Sequence, residues 1–179
     1  MTTFSNPAGD AAAATEYVRA LLAVLGDRDP LNVMKELVPW MEQRVRDLDP
    51  AVLRRPEAPG KWSVIEVAHH LADTELVYGY RVRMVLTQDT PPLPGYDQDA
   101  WARTFRYRDV PLAEVLAQLT ALRTAHLRLL YSLEPPQWKR AGLHSERGLE
   151  SVEHIVRMIG AHDLVHRRQI ERVLAAVSP

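Results

Sequence analysis

The sequence predicts an all-α protein, a four-helix bundle with long crossover connections and a short additional helix at the N-terminus. Apolar residues recur at helical spacing in long blocks, helix breakers separate the blocks, and strand-like alternation is nowhere convincing. The blocks span roughly residues 11–25, 31–48, 63–87, 111–133 and 151–177. Because four of them are long and amphipathic, they can bury their apolar faces against one another as a bundle.

Length and composition indicate one domain. The chain has 179 residues, of which 46% are hydrophobic and 25% are charged, and both values are ordinary for a soluble globular domain. A chain of this size buries enough apolar surface to fold without disulfides. We predict a single domain over residues 1–179, in which residues 1–30 form an N-terminal extension that carries the first helix.

Charge and cysteine content exclude several classes of function. The 22 basic and 23 acidic residues nearly cancel, so no overall field attracts nucleic acid or an anionic membrane surface. The absence of cysteine rules out disulfides, thiolate metal ligands and a cysteine nucleophile. The N-terminal residues lack the pattern of a signal peptide, and no apolar run is long enough to span a membrane. We expect a cytoplasmic protein with a small-molecule substrate and with neither nucleic-acid nor membrane partners.

Two local signals mark where long helices begin. Ser63 and Glu66 have the spacing of a capping box, in which each residue satisfies a free amide of the first turn. Pro111 suits the first turn of the next long helix, because its missing N–H would be unpaired there anyway.

The connection over residues 88–110 is much longer than the links usual between neighbouring bundle helices. We expect it to cross one end of the bundle and to contain a short helix around residues 99–105. Tyr96, Asp97 and Trp101 make it a candidate pocket wall or lid. A plain crossover with a structural tryptophan is an equally good interpretation.

The stretch AHDLVHRRQI places two histidines four residues apart in the last helix. On a helical wheel, His162, His166 and Asp163 fall on the apolar arc, where an ionisable group without a partner is costly to bury. They could be core histidines bonded to the backbone or to Asp163. Two histidines at this spacing also present their nitrogens to one point, which is half of a metal site.

A third ligand would have to come from another helix, and His70 is the candidate. It shares the apolar arc of its helix, whereas His69 points about 100° away. The remaining histidines fit solvated or structural roles better than ligand roles: His126, His144 and His154. The residues alone thus favour a three-histidine site but leave structural core histidines as the alternative.

The stretch KWSVIEVAHHLADTELVYGYRVRMVLTQDTPPLPGYDQDAWA, followed by HDLVHRRQI, resembles the DinB-like superfamily of metalloenzymes, in particular its YfiT branch of bacillithiol S-transferase-like proteins. The likeness runs from about Leu31 onward. Its most specific elements are Trp62 with a histidine eight residues on, and H-x-x-x-H in the last helix. The resemblance implies that His70, His162 and His166 bind zinc or nickel inside a four-helix bundle.

Three imidazoles leave coordination positions open, as catalytic rather than structural sites do. Two reactions would follow. One is metal-dependent hydrolysis, and the other is an S-transfer in which the metal activates a low-molecular-weight thiol that must arrive as a cosubstrate. Glu75 stands where the transferase-like relatives have a histidine, which weakens the thiol interpretation. A non-catalytic bundle that binds a metal or a small molecule is the remaining alternative.

Further residues are predicted around such a site. Asp73 and Asp163 are candidate acceptors for the second N–H of a ligating histidine. Arg81, Tyr96 and Trp101 are candidates for binding the cosubstrate, with Arg81 suited to a carboxylate.

An apolar patch on the last helix bears on assembly. Ala161, Leu164 and Val165 lie off the main core arc, so they pack either on the N-terminal helix or on a second subunit. We expect a homodimer.

Overall fold

A computed structural model describes residues 11–177, and in this part of the chain eight helices, one 3₁₀ turn and three short strands follow one another. The helices are α1 (Ala11–Leu25), α2 (Pro30–Val45), α3 (Pro50–Leu53), α4 (Val64–Thr87), α5 (Gln98–Thr104), α6 (Leu112–Tyr131), α7 (Pro135–Trp138) and α8 (Val152–Val177). The strands are β1 (Pro92–Leu93), β2 (Ala141–His144) and β3 (Gly148–Ser151), and the 3₁₀ turn is Tyr107–Asp109. Within the described residues, none of the helices combines the length and the apolar character that a membrane span requires.

The long helices α2, α4, α6 and α8 form the predicted four-helix bundle. α4 packs between α6 and α8, and α2 packs against the same two helices from the other side. Two apolar clusters fill the interior. The first joins residues 37–45 of α2, 64–72 of α4, 115–119 of α6 and 170–177 of α8. The second joins residue 34 of α2, 78–85 of α4, 130 of α6 and 152–159 of α8. Hence α4 and α6 run in the same direction, and α2 and α8 run in the opposite one.

This topology explains the long connection between α4 and α6. Because the two helices are parallel neighbours, the chain must return along the full length of the bundle before α6 can begin. Arg108, near the end of the connection, forms an ion pair of 3.1 Å with Glu66 in the first turn of α4. The expectation that this segment crosses an end of the bundle was therefore wrong, since it runs lengthwise beside α4. The short helix expected within it is present as α5.

A small three-stranded sheet departs from the prediction that no strands occur. β2 and β3 form a hairpin whose turn ends at Gly148 with a positive φ of 80°, and β1 pairs in parallel with β2. Gly142 permits this contact, because a Cβ there would lie 2.9 Å from the side chain of Leu93. Strands of two to four residues are too short for alternation to be visible in the sequence.

The capping box predicted at Ser63 and Glu66 is confirmed, whereas Pro111 lies one position before the first turn in which it was predicted. The Glu66 carboxylate accepts hydrogen bonds from the Ser63 backbone N–H at 2.8 Å and from the Ser63 hydroxyl at 2.6 Å. Pro111 is the residue that caps α6, one position before its first turn. Since a proline lacks the N–H, neither position leaves a donor unpaired.

The N-terminal helix covers one side of α8. Leu21 and Leu25 of α1 pack with Met158, Ala161 and Val165 of α8, and Leu164 borders the same cluster. The apolar patch on which the homodimer expectation rested thus has a partner within the chain.

A polar layer separates the two apolar clusters. It consists of buried side chains from three of the long helices: His70, Glu75, Arg123, His126, His162, Asp163 and His166. The Arg123 guanidinium of α6 donates to Glu75 of α4 at 2.9 Å, to Asp163 of α8 at 2.6 Å and to the Met34 carbonyl of α2 at 2.7 Å. One side chain therefore connects all four helices of the bundle.

The positive charge of Arg123 also sets the ionisation state of Glu75, its partner on α4. Burial favours the neutral form of Glu75, but the Arg123 guanidinium and the bond from His126 hold the pKa of that carboxyl below its usual value. Glu75 therefore stays ionised, and the charge of Arg123 is compensated within the layer.

Replacement of Arg123 should be strongly destabilising. Arg123→Met leaves two buried carboxylates without their cation, and we expect a loss of about 3–5 kcal/mol in the free energy of unfolding, measured by urea denaturation. The matched control is Arg44→Met, because Arg44 pairs with Glu171 at the surface and its loss should cost less than about 1 kcal/mol. Equal effects of the two substitutions would contradict a central role for Arg123.

Candidate metal centre

Three histidines from two helices converge in the polar layer. His70 projects from α4, and His162 and His166 project from successive turns of α8. The Nε2 atom of His162 lies 3.0 Å from that of His70 and 3.0 Å from that of His166. One nitrogen from each of the three side chains lies within 4.8 Å of the other two. The nitrogens thus meet at one point, as the positions on the helical wheels predict.

The three imidazoles are held in their neutral, metal-binding form. Burial lowers the pKa of His166 to about 4. Burial, together with the neighbouring imidazoles, places the pKa values of His70 and His162 well below the ordinary value. A metal ligand must offer a free lone pair, so a protonated imidazole cannot serve. Burial between the two apolar clusters therefore keeps the lone pairs of the three histidines available to bind a cation.

The geometry of the cluster fits a divalent cation. Zinc with ligands at about 2.0–2.1 Å keeps tetrahedrally placed nitrogens about 3.3 Å apart, close to the two 3.0 Å contacts of His162, and the third pair of nitrogens lies within 4.8 Å. A proton on Nε2 of His162 can be donated to only one of its two neighbours, whereas a cation accepts lone pairs from all three nitrogens. The donor set of buried imidazoles suits zinc, nickel, iron or copper.

Neighbouring side chains orient two of the three histidines. The Nδ1 atom of His166 lies 2.7 Å from Oε1 of Gln169, which can accept its N–H when Nε2 binds a metal. The ring of Trp62 lies 5.0 Å from that of His70, centroid to centroid, which gives a physical reason for the tryptophan that precedes the histidine by eight residues. The Nδ1 atoms of His70 and His162 have no hydrogen-bond partner among residues 11–177.

Two predicted supporting residues have other partners. Asp163 binds Arg123 rather than a histidine nitrogen. Asp73 accepts a hydrogen bond from the Tyr107 hydroxyl, which the connection between α4 and α6 brings beside α4 as it runs back along that helix. In the structure these carboxylates accept from Tyr107 and Arg123, so the expectation that Asp73 or Asp163 accepts from a ligating histidine was wrong.

The other histidines lie outside the cluster. The ring of His69 stacks on that of Tyr107 at 4.0 Å, and the Nδ1 atom of His126 lies 2.7 Å from Glu75. His154 is half-buried, near Glu150. His144 is a buried residue of β2.

Gln169 and Arg123 were not predicted from the sequence, although the position of each on its helix is a usable signal. Gln169 follows His166 by three residues, so the two side chains are neighbours on α8. Arg123 follows the buried Leu119 by four residues and thus lies on the apolar face of α6. A charged residue on such a face calls for a buried partner of opposite charge.

The residues predicted to bind a cosubstrate come together beside the cluster. Arg81, Tyr96 and Trp101 line one apolar surface groove of about 320 Å³. The Tyr96 hydroxyl lies 3.0 Å from that of Thr74, which in turn lies 3.5 Å from Nε2 of His70. Burial raises the pKa of Tyr96 to about 12, so the phenol keeps its proton at neutral pH. A chain of polar contacts, from Tyr96 through Thr74 to His70, therefore connects the groove with the three histidines.

The sequence model of the DinB superfamily matches residues 40–170, which is most of the chain. The chain belongs to the DinB superfamily. The match includes α4 and the part of α8 up to residue 170, with all three histidines, whereas α1 precedes it.

Individual relatives in the DinB superfamily agree with this assignment. A protein of Oceanobacillus iheyensis is 29% identical over 139 residues, which cover 76% of this chain and 80% of that protein. YfiT of Bacillus subtilis is 31% identical over 119 residues, or 65% of each chain. Both are named as candidate metal-dependent hydrolases.

The solved structure of Bacillus subtilis YfiT shares the fold. The two structures superpose with a TM-score of 0.77 over 97% of each chain, at 24% sequence identity. That protein is described as having an unusual four-helix bundle topology. Because the superposition covers nearly the whole chain, the shared fold extends beyond the part that the superfamily model matches.

Removal of the Gln169 amide should weaken metal binding without unfolding the protein. Gln169→Leu deprives the Nδ1–H of His166 of its acceptor, and we expect the affinity for zinc to fall by about 10–100-fold, measured by competition with a chromogenic chelator. Gln118→Leu makes the same change at an exposed position of α6 and should leave the affinity unaltered. If both variants bind zinc equally well, Gln169 does not orient the ligand.

Proposed function

We propose that this protein is a metal-dependent hydrolase that acts on a small molecule, with His70, His162 and His166 as the ligands of zinc or nickel. The observation that carries the proposal is the convergence of three buried neutral imidazoles, in which Nε2 of His162 lies 3.0 Å from that of His70 and 3.0 Å from that of His166. The names of its relatives in the DinB superfamily support the same class of reaction.

The number and type of ligands favour a catalytic over a structural role. Structural zinc sites have four protein ligands, whereas a cluster of three histidines leaves a position for an exchangeable group. A divalent cation held in this way supplies Lewis-acid chemistry, which activates water and polarises the bond to be cleaved. In the described part of the chain, the group of candidate ligands contains no fourth side chain.

The surrounding residues would bind and orient the substrate. The hydroxyls of Thr74 and Tyr96 lie between His70 and the surface groove, so they can donate hydrogen bonds to a polar group that approaches the histidines. Trp101 packs against the Tyr96 ring at 4.6 Å and helps to exclude water from this path. The apolar groove of about 320 Å³ is of a size that suits a small organic molecule.

An S-transfer with a low-molecular-weight thiol is the second reaction that this site could support. The same open position would bind the sulfur, and the chain has no cysteine of its own. The position at which transferase-like relatives carry a histidine is Glu75, which the ion pair with Arg123 holds away from a ligand role. We therefore favour hydrolysis.

Loss of one ligand should separate function from folding. His166→Ala removes a ligand, and we expect the affinity for zinc to fall by more than about 100-fold while the helical circular dichroism stays unchanged. His154→Ala, on the same helix but outside the cluster, is the matched control and should keep both metal and activity. Activity is measured with the zinc-loaded and nickel-loaded proteins on a panel of chromogenic esters and amides, with and without an added thiol. Equal hydrolysis by wild type and His166→Ala would refute the proposal.

Removal of the metal should leave the bundle folded. Two large apolar clusters fill the interior independently of the histidines, so the metal-free protein should remain helical after chelation. The melting temperature should fall, because a bound metal stabilises only the folded state. Unfolding on chelation would instead indicate a structural metal.

A further inference from the structure

A small cavity adjoins the three histidines on the side of the sheet. It has a volume of about 30 Å³, and its walls include His70 and His162 together with Thr74, Arg81, Tyr96 and His144. A water molecule needs roughly 10–15 Å³ of such space, so the cavity admits a group about the size of two waters. Any group bound in it lies directly beside two of the proposed metal ligands.

Arg81 brings a positive charge to the cavity wall, and no carboxylate of the described residues forms an ion pair with it. The side chain is buried, with 3% of its surface exposed, and within residues 11–177 no acidic group lies at ion-pair distance. Its guanidinium donates to the Pro94 carbonyl and lies 5.1 Å from the ring of Tyr78, but its Nε atom has no hydrogen-bond partner. A buried charge in this condition is costly, and folded proteins normally compensate it.

The other buried arginines near the site are compensated. Arg147, which lines the same cavity, pairs with Glu150 at 2.6 Å, and Arg123 pairs with Glu75 and Asp163. Arg81 differs from both because no carboxylate of the described residues pairs with it directly. The missing counter-charge therefore points to a ligand rather than to a general property of buried arginines in this fold.

His144 adds a second unpaired donor. Its Nδ1 atom accepts a hydrogen bond from the Glu146 backbone N–H at 3.1 Å, so the proton of the neutral ring is on Nε2. That Nε2 atom is buried and has no partner among the described residues. Arg81 and His144 reach the cavity from α4 and β2, and each leaves a donor that no acceptor among residues 11–177 satisfies.

We propose that this cavity is an anion subsite that binds a carboxylate of the substrate, with Arg81 as its counter-charge and His144 as a second donor. The reaction assigned to that substrate rests on the proposed function. Since the cavity is small and touches His70 and His162, the carboxylate lies within a few bonds of the reacting centre. The substrate class is therefore a small ester or amide that carries a carboxylate beside the bond to be cleaved.

The subsite can be tested without metal, using formate as the probe and formamide as its neutral counterpart of the same shape. Both are titrated into the metal-free, ¹⁵N-labelled full-length protein at pH 7.5, and the backbone amide shifts of Gly95 and His144 are followed. We expect saturable shifts with formate and none with formamide. Equal responses to the two probes, or no response to formate, would overturn the proposal.

Arg81→Met should weaken formate binding by at least about tenfold, because it removes a charge-assisted contact. Arg83→Met makes the same change at an exposed position of α4 and should bind formate within about twofold of wild type. Since Arg81 lacks a counter-charge, Arg81→Met should also melt at or above the wild-type temperature. A large drop in melting temperature, or unaltered formate binding, would make Arg81 a structural residue.

The formate-binding result can be interpreted whichever reaction the protein catalyses. Formate binding to the metal-free protein, combined with failure of His166→Ala to affect hydrolysis, would refute the hydrolase and retain the anion subsite. Metal-dependent hydrolysis without formate binding would retain the hydrolase and refute the subsite.

Discussion

The buried charge of Arg123 is the constraint on which the rest of the bundle depends. A guanidinium in the interior must be compensated, and here the compensation comes from Glu75 on α4 and Asp163 on α8. Asp163 is next in sequence to His162, so the ion pair fixes the height of α8 relative to α4 at the level of the histidines. The alignment that brings three imidazoles together is thus set by electrostatics, and the apolar clusters above and below then exclude water from it.

The parallel direction of α4 and α6 has a second consequence for the site. It obliges the connection between them to run beside α4, and this path carries Tyr96 and Tyr107 to positions from which they contact Thr74 and Asp73. A simple up-and-down bundle would have short links between its helices and no connecting segment beside α4. The parallel order of α4 and α6 therefore supplies the wall beside Thr74 and Asp73, while the ordinary amphipathic packing brings the three histidines together.

The sequence predicts the helices and the three histidines because both follow from periodicity within one segment. The wheel positions of His70, His162 and His166 need no knowledge of the other helices. The partners of Asp73 and Asp163 could not be predicted in this way, since Tyr107 and Arg123 come from distant segments whose direction is a property of the whole fold. The same holds for the sheet, because β1 and β2 are separated by about fifty residues and pair over only two.

The position of α1 allows residues of the cavity wall to be substituted independently of the helices that carry the three histidines. Tyr17 of α1 lines the cavity beside the histidines, although α1 precedes the residues that the superfamily model matches. The three histidines lie within the residues that the superfamily model matches, whereas part of the cavity wall precedes them. Substitutions in this helix can therefore reshape what the cavity admits while the three histidines stay in place.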